Sequence, residues 1–148
     1  GDFTSSIDYF NQSISLKEKL NDKKGLNSTL LNLGEAQFWN TDYQGALANF
    51  KRALTISNSF DDIVHISVRY EAIGRVYFNL TKYDSAGYYL IKADSIFEAL
   101  EYYENRLTTL SWLAVTYVKD GKKEKSKNYV KVFDKLLEIG RASCRERV

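Results

Sequence analysis

The chain has 148 residues, 44% hydrophobic, 14% aromatic and 27% charged, with a formal net charge of +2. That is one domain's worth of chain with a sizeable core, and it excludes intrinsic disorder and collagen-like architecture. Proline is absent, which suits uninterrupted helices, and no apolar run is long enough to span a membrane.

Apolar residues recur every three or four positions along the whole chain, which is helical spacing. They predict seven helices, at 3–20, 25–40, 43–58, 63–80, 83–102, 105–119 and 123–138. The first carries Phe3, Phe10, Leu16 and Leu20. The second and third carry Leu26, Leu30, Leu33 and Phe38, then Ala46, Phe50, Ala53 and Leu54. Turn-forming residues separate paired helices at Asn40-Thr41-Asp42, Thr81-Lys82 and Asp120-Gly121-Lys122. The acidic residues Asp61-Asp62 and Glu101 with Glu104 lie at turns between pairs, where they favour helix starts.

A shift of forty residues superposes the chain on itself. Gly34 falls on Gly74 and Ala114, Tyr43 on Tyr83, and Ala46 on Ala86 and Ser126. Phe50 falls on Leu90 and Val130, and Ala53 on Ala93 and Phe133. The register extends backwards, so the sequence is expected to start inside a repeat, followed by three whole ones. The array is read as 1–138: the second helix of a repeat at 1–22, then repeats at 23–62, 63–102 and 103–138. Small residues such as Gly34 and Ala46 let paired helix axes approach to about 8–10 Å. One pair cannot bury its apolar face alone, so the pairs stack into an all-α solenoid.

The last residues, Glu138 to Val148, read EIGRASCRERV and break the repeat pattern. They are similar to the translation of a common high-throughput sequencing adapter, so 139–148 is expected to be a non-native tail. Without it, Arg141, Arg145, Arg147 and Glu146 leave the count. Lys+Arg then falls from 21 to 18, Asp+Glu from 19 to 18, and the net charge from +2 to 0. No excess charge remains to attract nucleic acid or anionic lipid. The single cysteine, Cys144, leaves with the tail. The chain also lacks methionine, even at position 1, and is expected to be an internal piece of a longer protein or a processed product.

The sequence offers little for catalysis. One histidine, His65, and no body cysteine cannot build the usual zinc site or a nucleophile with its base. The glycines are scattered at repeat positions and form no phosphate loop. Lys123, Lys127 and Lys131 read as a solvated helix stripe, and the many tyrosines as packing. The expectation is no enzyme activity, no cofactor, no metal and no nucleic acid.

The stretches LNLGEAQFWNTDYQGALANFKRAL and EAIGRVYFNLTKYDSAGYYLIKAD resemble tetratricopeptide repeats. Both show the Leu-Gly or Ile-Gly pair, the turn tyrosine, and the spaced alanine, aromatic and alanine. The third copy, SWLAVTYVKDGKKEKSKNYVKVFD, is degenerate, with Ala114, Lys123 and Phe133 at those places. The repeat of about forty residues is similar to long-helix arrays of bacterial signalling proteins. The resemblance implies a right-handed superhelix whose concave groove, lined by the first helix of each pair, takes a peptide or partner helix.

Carried over position by position, the groove candidates are Leu31, Glu35, Phe38 and Trp39, then Glu71, Arg75, Phe78 and Asn79, then Ser111, Val115, Val118 and Lys119. Phe38 and Phe78 would form its apolar floor. Equally, they would pack between repeats while Glu35 and Arg75 form a structural ion pair. A C-terminal carboxylate grip, as in co-chaperone members, is disfavoured by Glu35 and Glu71. The implied role is a protein-binding scaffold, read first as a sensory fragment of a larger bacterial signalling protein such as a sensor kinase or transcriptional regulator. A free-standing peptide-binding regulator and the substrate-recruiting module of an enzyme stand beside it. The implied compartment is bacterial cytoplasm or periplasm, and self-association is expected through the uncovered apolar face of the first helix.

Overall fold

The computed structural model describes residues 3–60 and 62–145, with side chains for 6–60 and 62–140. The described residues form seven helices: α1 (Phe3–Lys19), α2 (Lys23–Trp39), α3 (Tyr43–Asn58), α4 (Ile63–Asn79), α5 (Tyr83–Ala99), α6 (Tyr103–Lys119) and α7 (Lys123–Arg145). Each packs against the next in chain order, and α4 also touches α6. This is an all-α solenoid of helix pairs α2–α3, α4–α5 and α6–α7, led by α1. No helix among the described residues is long and apolar enough to cross a membrane.

The turns repeat every twenty residues. Asn21, Thr41, Thr81, Glu101 and Gly121 all have positive φ, between 53° and 75°; position 61, where the acidic pair Asp61-Asp62 begins, lies outside the described residues. Each closes a Schellman-type helix end, as when Asp22 N–H donates to the Lys17 carbonyl at 2.9 Å and Lys122 N–H to that of Tyr117 at 2.8 Å. The next residue starts the following helix. Asp22, Asp42 and Asp62 accept from the N–H groups of Gly25, Gly45 and His65 at 2.9, 2.9 and 3.2 Å. The turns between repeats are therefore as tight as those within them, and α2 and α6 begin two residues earlier than expected. At the other end α7 runs past Glu138 to Arg145, because no proline or left-handed residue stops it there. The side chains of Arg141 and Cys144, and residues Glu146 and Arg147, lie outside those described.

Close approach within pairs follows the small residues. A side chain at Gly34 would collide with the Phe50 ring, and one at Gly74 would meet Leu90 Cγ at 2.6 Å. The core runs through the stack: Ile14, Leu26, Leu30, Leu33 and Ala53 first, then Phe38, Ala46, Phe50, Ile73 and Val76, then Leu90, Leu110, Leu113, Tyr117 and Leu136. On α1, Leu16 is 57% and Leu20 68% exposed, and Tyr9 is exposed as well. The Phe3 side chain falls outside those described.

Candidate partner-binding face

The first helices of the three pairs, α2, α4 and α6, lie side by side, and Arg75 on α4 ties them together. Its guanidinium pairs with the Glu35 carboxylate through two bonds, Nη1–Oε1 at 3.2 Å and Nη2–Oε2 at 3.3 Å. The same group lies 4.6 Å from the ring centroid of Phe38, 6.0 Å from Trp39 and 5.9 Å from Trp112. A cation held over aromatic faces is stabilised by their quadrupoles and needs fewer hydrogen bonds. Consistent with that, Arg75 Nε is buried without a partner among the described residues.

The aromatic rings continue outward from this centre. Phe38 is buried, edge-on to Trp39 at 5.5 Å and to Tyr43 at 5.7 Å. Phe78 is half-buried and meets Trp112 edge-on at 5.3 Å and Tyr83 at 5.7 Å. Beside this cluster Trp39 remains 67% exposed, Val115 45% and Val118 54%. Leu31 is half-buried against the central core.

The polar candidates are mostly engaged within the protein. The Thr109 hydroxyl donates to Glu71 at 2.9 Å, and burial holds the Glu71 carboxyl above its ordinary range, with Arg75 pulling it back down. Asn79 Nδ2 donates to the Arg75 carbonyl at 2.9 Å, and the Ser111 hydroxyl to that of Thr108 at 2.7 Å. Lys119 is exposed. The face thus brings together Glu35, Phe38, Trp39, Arg75 and Phe78 as one unit, with Glu71 and Asn79 bonded at its edge. Ser111, Val115, Val118 and Lys119 lie at its α6 side.

Trp112 belongs to this unit and is absent from the sequence-based set. Its forty-residue equivalents are Asn32 and Ala72, so the repeat register gives no aromatic there. The available signal was the helical stripe it shares with Val115 and Lys119. The tyrosines pack on each other: Tyr77 stacks on Tyr89 at 5.5 Å, and Tyr70 and Tyr88 flank Tyr89 at 6.0 and 5.2 Å. Lys51 covers Tyr77, and Lys92 covers Tyr70 and Tyr88.

No family model matches the sequence, and neither does any curated protein. Solved structures do match. The chain superposes on BtubC (BKLC) from P. vanneervenii with a TM-score of 0.89 at 14% identity, covering 95% of this chain and 59% of that one. Against the TPR domain of Arabidopsis FLU the TM-score is 0.74 at 21% identity, covering 79% and 98%. A signal transduction ATPase of the STAND class with a tetratricopeptide repeat sensor, from Pyrococcus horikoshii, gives 0.85 at 17% identity, covering 93% and 22%. The chain spans less than two thirds of the BtubC chain it matches. With a forty-residue register, paired helices and these neighbours, the chain has the fold of a tetratricopeptide-repeat array.

Proposed function

We propose that the α2–α4–α6 face is a docking surface for an apolar-faced peptide segment of another protein, and that the chain serves as an interaction scaffold. The observation that carries this is the exposed Trp39, Val115 and Val118 beside a rigid floor of Phe38, Arg75, Phe78 and Trp112. An exposed tryptophan next to a preorganised arginine matches the composition of binding hot spots, with the valines as the surrounding apolar contact. Glu35 already neutralises Arg75, so the face favours apolar contact over the grip of a free carboxylate.

Both tryptophans of the chain, Trp39 and Trp112, sit in this face, so their fluorescence reports its occupancy. Peptides selected on the chain from a displayed library should shift that emission. Trp39→Ala combined with Val118→Asp should weaken them at least tenfold, since each lost hot-spot contact costs about 1–2 kcal/mol. Selected peptides that bind the double variant as tightly as the wild type would sink the reading.

The wider setting we infer is a sensory or scaffolding module of a larger bacterial signalling protein. The architecture of the STAND protein, whose repeats form a sensor, supports it by analogy. Sequencing the source DNA across both ends tests this reading and the expectation that 139–148 is foreign. A continuation without any kinase, helix-turn-helix or membrane segment counts against the signalling role.

A further inference from the structure

Arg75, on the middle helix of the face, stands between two tryptophans. Trp39 on α2 and Trp112 on α6 flank it from the neighbouring helices, with ring centroids 6.0 and 5.9 Å from its guanidinium carbon. The two indoles are thus no more than about 12 Å apart, centre to centre, about the diameter of one α-helix with its side chains. The rings themselves take up part of that span, so a helix does not fit between them and a single extended chain does. Both walls are braced from below, Trp39 edge-on by Phe38 at 5.5 Å and Trp112 edge-on by Phe78 at 5.3 Å.

The free polar groups of this slot are unevenly split. Trp39 is exposed and Trp112 half-buried, and neither indole N–H has a partner among the described residues. The carboxylates of the face are engaged within the protein, Glu35 with Arg75 and Glu71 with Thr109. Asn79 spends its amide nitrogen on the Arg75 carbonyl and keeps its side-chain oxygen to accept one N–H. An ordinary extended chain brings one N–H for every carbonyl, and those left without an acceptor are costly to desolvate. A helix has no spare carbonyl along its length to offer the indoles. Proline keeps its carbonyl and has no N–H, and in a polyproline II helix every carbonyl is unpaired.

We propose that the segment this face takes is proline-rich and bound as a polyproline II helix, with prolines against the Trp39 and Trp112 rings and carbonyls accepting from their N–H groups. The proposal rests on the reading of the α2–α4–α6 face as a docking surface and names its occupant. A polyproline II helix rises about 3.1 Å per residue with three residues per turn, so prolines three apart lie about 9 Å apart on one side. That spacing lets both prolines of a P-x-x-P segment meet both indoles, the way aromatic-lined grooves take such segments. The conformation is largely preformed, so little chain entropy is lost on binding.

The probes are three blocked peptides titrated into the full chain and followed by tryptophan emission. One has three Pro-Pro-Leu repeats, the second has alanine at every proline, and the third is an amphipathic helix of Glu, Ala, Lys and the same number of leucines. The proline peptide should saturate, and the other two should bind at least tenfold more weakly. Trp39→Ala should weaken the proline peptide about tenfold, with Trp112 still reporting. Trp39→Phe keeps a ring without the N–H and should lose about threefold, one neutral hydrogen bond. Trp39 is exposed, so both variants should fold. Alanine or helical peptide binding as tightly as the proline peptide, or proline binding undiminished in Trp39→Ala, would overturn the proposal. If the tighter helical or alanine peptide still depends on Trp39, the docking surface stands and only its proline-rich occupant falls. If no peptide, library-selected ones included, shifts the emission, both fall.

Discussion

At the seam between the first and second repeats stand Asn27, Ser57 and Arg69; the next seam has Ser67, Phe97 and Thr109 at the same register positions. All six are buried. One seam is filled from the second helix of the preceding pair by an aromatic ring, with small neighbours to make room for it. The other is filled from the opposite side by an arginine, with a serine where the ring would be. Similar volume is supplied by different chemistry, so the fold requires filling at these positions and does not require the arginine. The polar seam pays for a buried charge that the apolar seam avoids.

The largest effect should come from emptying the apolar seam. Phe97→Ser leaves a ring-sized cavity and should cost about 3–5 kcal/mol in urea denaturation. Forcing a ring into the polar seam with Ser57→Phe should cost about 1–3 kcal/mol, because Asn27 and Arg69 already occupy the space. The triple exchange Asn27→Ser, Ser57→Phe, Arg69→Thr rebuilds the apolar seam in the upper position. It should recover the Ser57→Phe loss entirely and match or exceed the wild type. A triple variant no more stable than Ser57→Phe would show that the seams are not equivalent and would break the comparison.

A control away from both seams sharpens it. Thr81 is an exposed, β-branched residue at φ 57°, in the turn within the second repeat, whereas the corresponding turn of the third repeat uses Gly121 at φ 75°. A left-handed conformation costs a non-glycine residue about 1–2 kcal/mol, while glycine gives back about 0.5–1 in chain entropy. Thr81→Gly should therefore stabilise by about 0.5–1 kcal/mol, and equally so in the wild type and in the triple exchange. A gain confined to one background would mean that the turn and the upper seam are coupled.

The helices, their number and their pairing were legible because spacing of three to four and a forty-residue register act locally. Gly34 with Phe50 and Gly74 with Leu90 are the small-to-large contacts that the register implies. The turns were less so: the side-chain register repeats at forty, while the left-handed residues at 21, 41, 81, 101 and 121 recur at twenty. Their side chains, Asn, Thr, Thr, Glu and Gly, share no chemistry that a sequence displays. The Glu35–Arg75 pair was one of two readings the sequence left open, but Trp112 stayed hidden because a site built across three helices need not repeat. Arg69 was hidden for a different reason. An arginine in a helix reads as surface, and its burial becomes apparent only when Ser57 is compared with Phe97.

Glu71 offers the smallest effect and the finest test of how the second seam tolerates charge. Its carboxyl is half-buried and accepts from the Thr109 hydroxyl, on α6. Burial raises its pKa first of all, Glu35 adds to the rise, and the Thr109 bond and Arg75 oppose it. A carboxyl raised in the folded state holds its proton more readily than in the unfolded chain. Its contribution to stability is thus fully present below the unfolded pKa and is lost as the pH rises through the folded one. Glu71→Gln keeps an acceptor for Thr109 and removes the charge at every pH. The variant should melt above the wild type at pH 7, and the gap should close on acidification below the ordinary carboxylate range. A variant that melts below the wild type at pH 7 would mean that attraction from Arg75 outweighs burial. Charge would then be favourable at the lower seam, and the contrast between the two seams would rest on Phe97 alone.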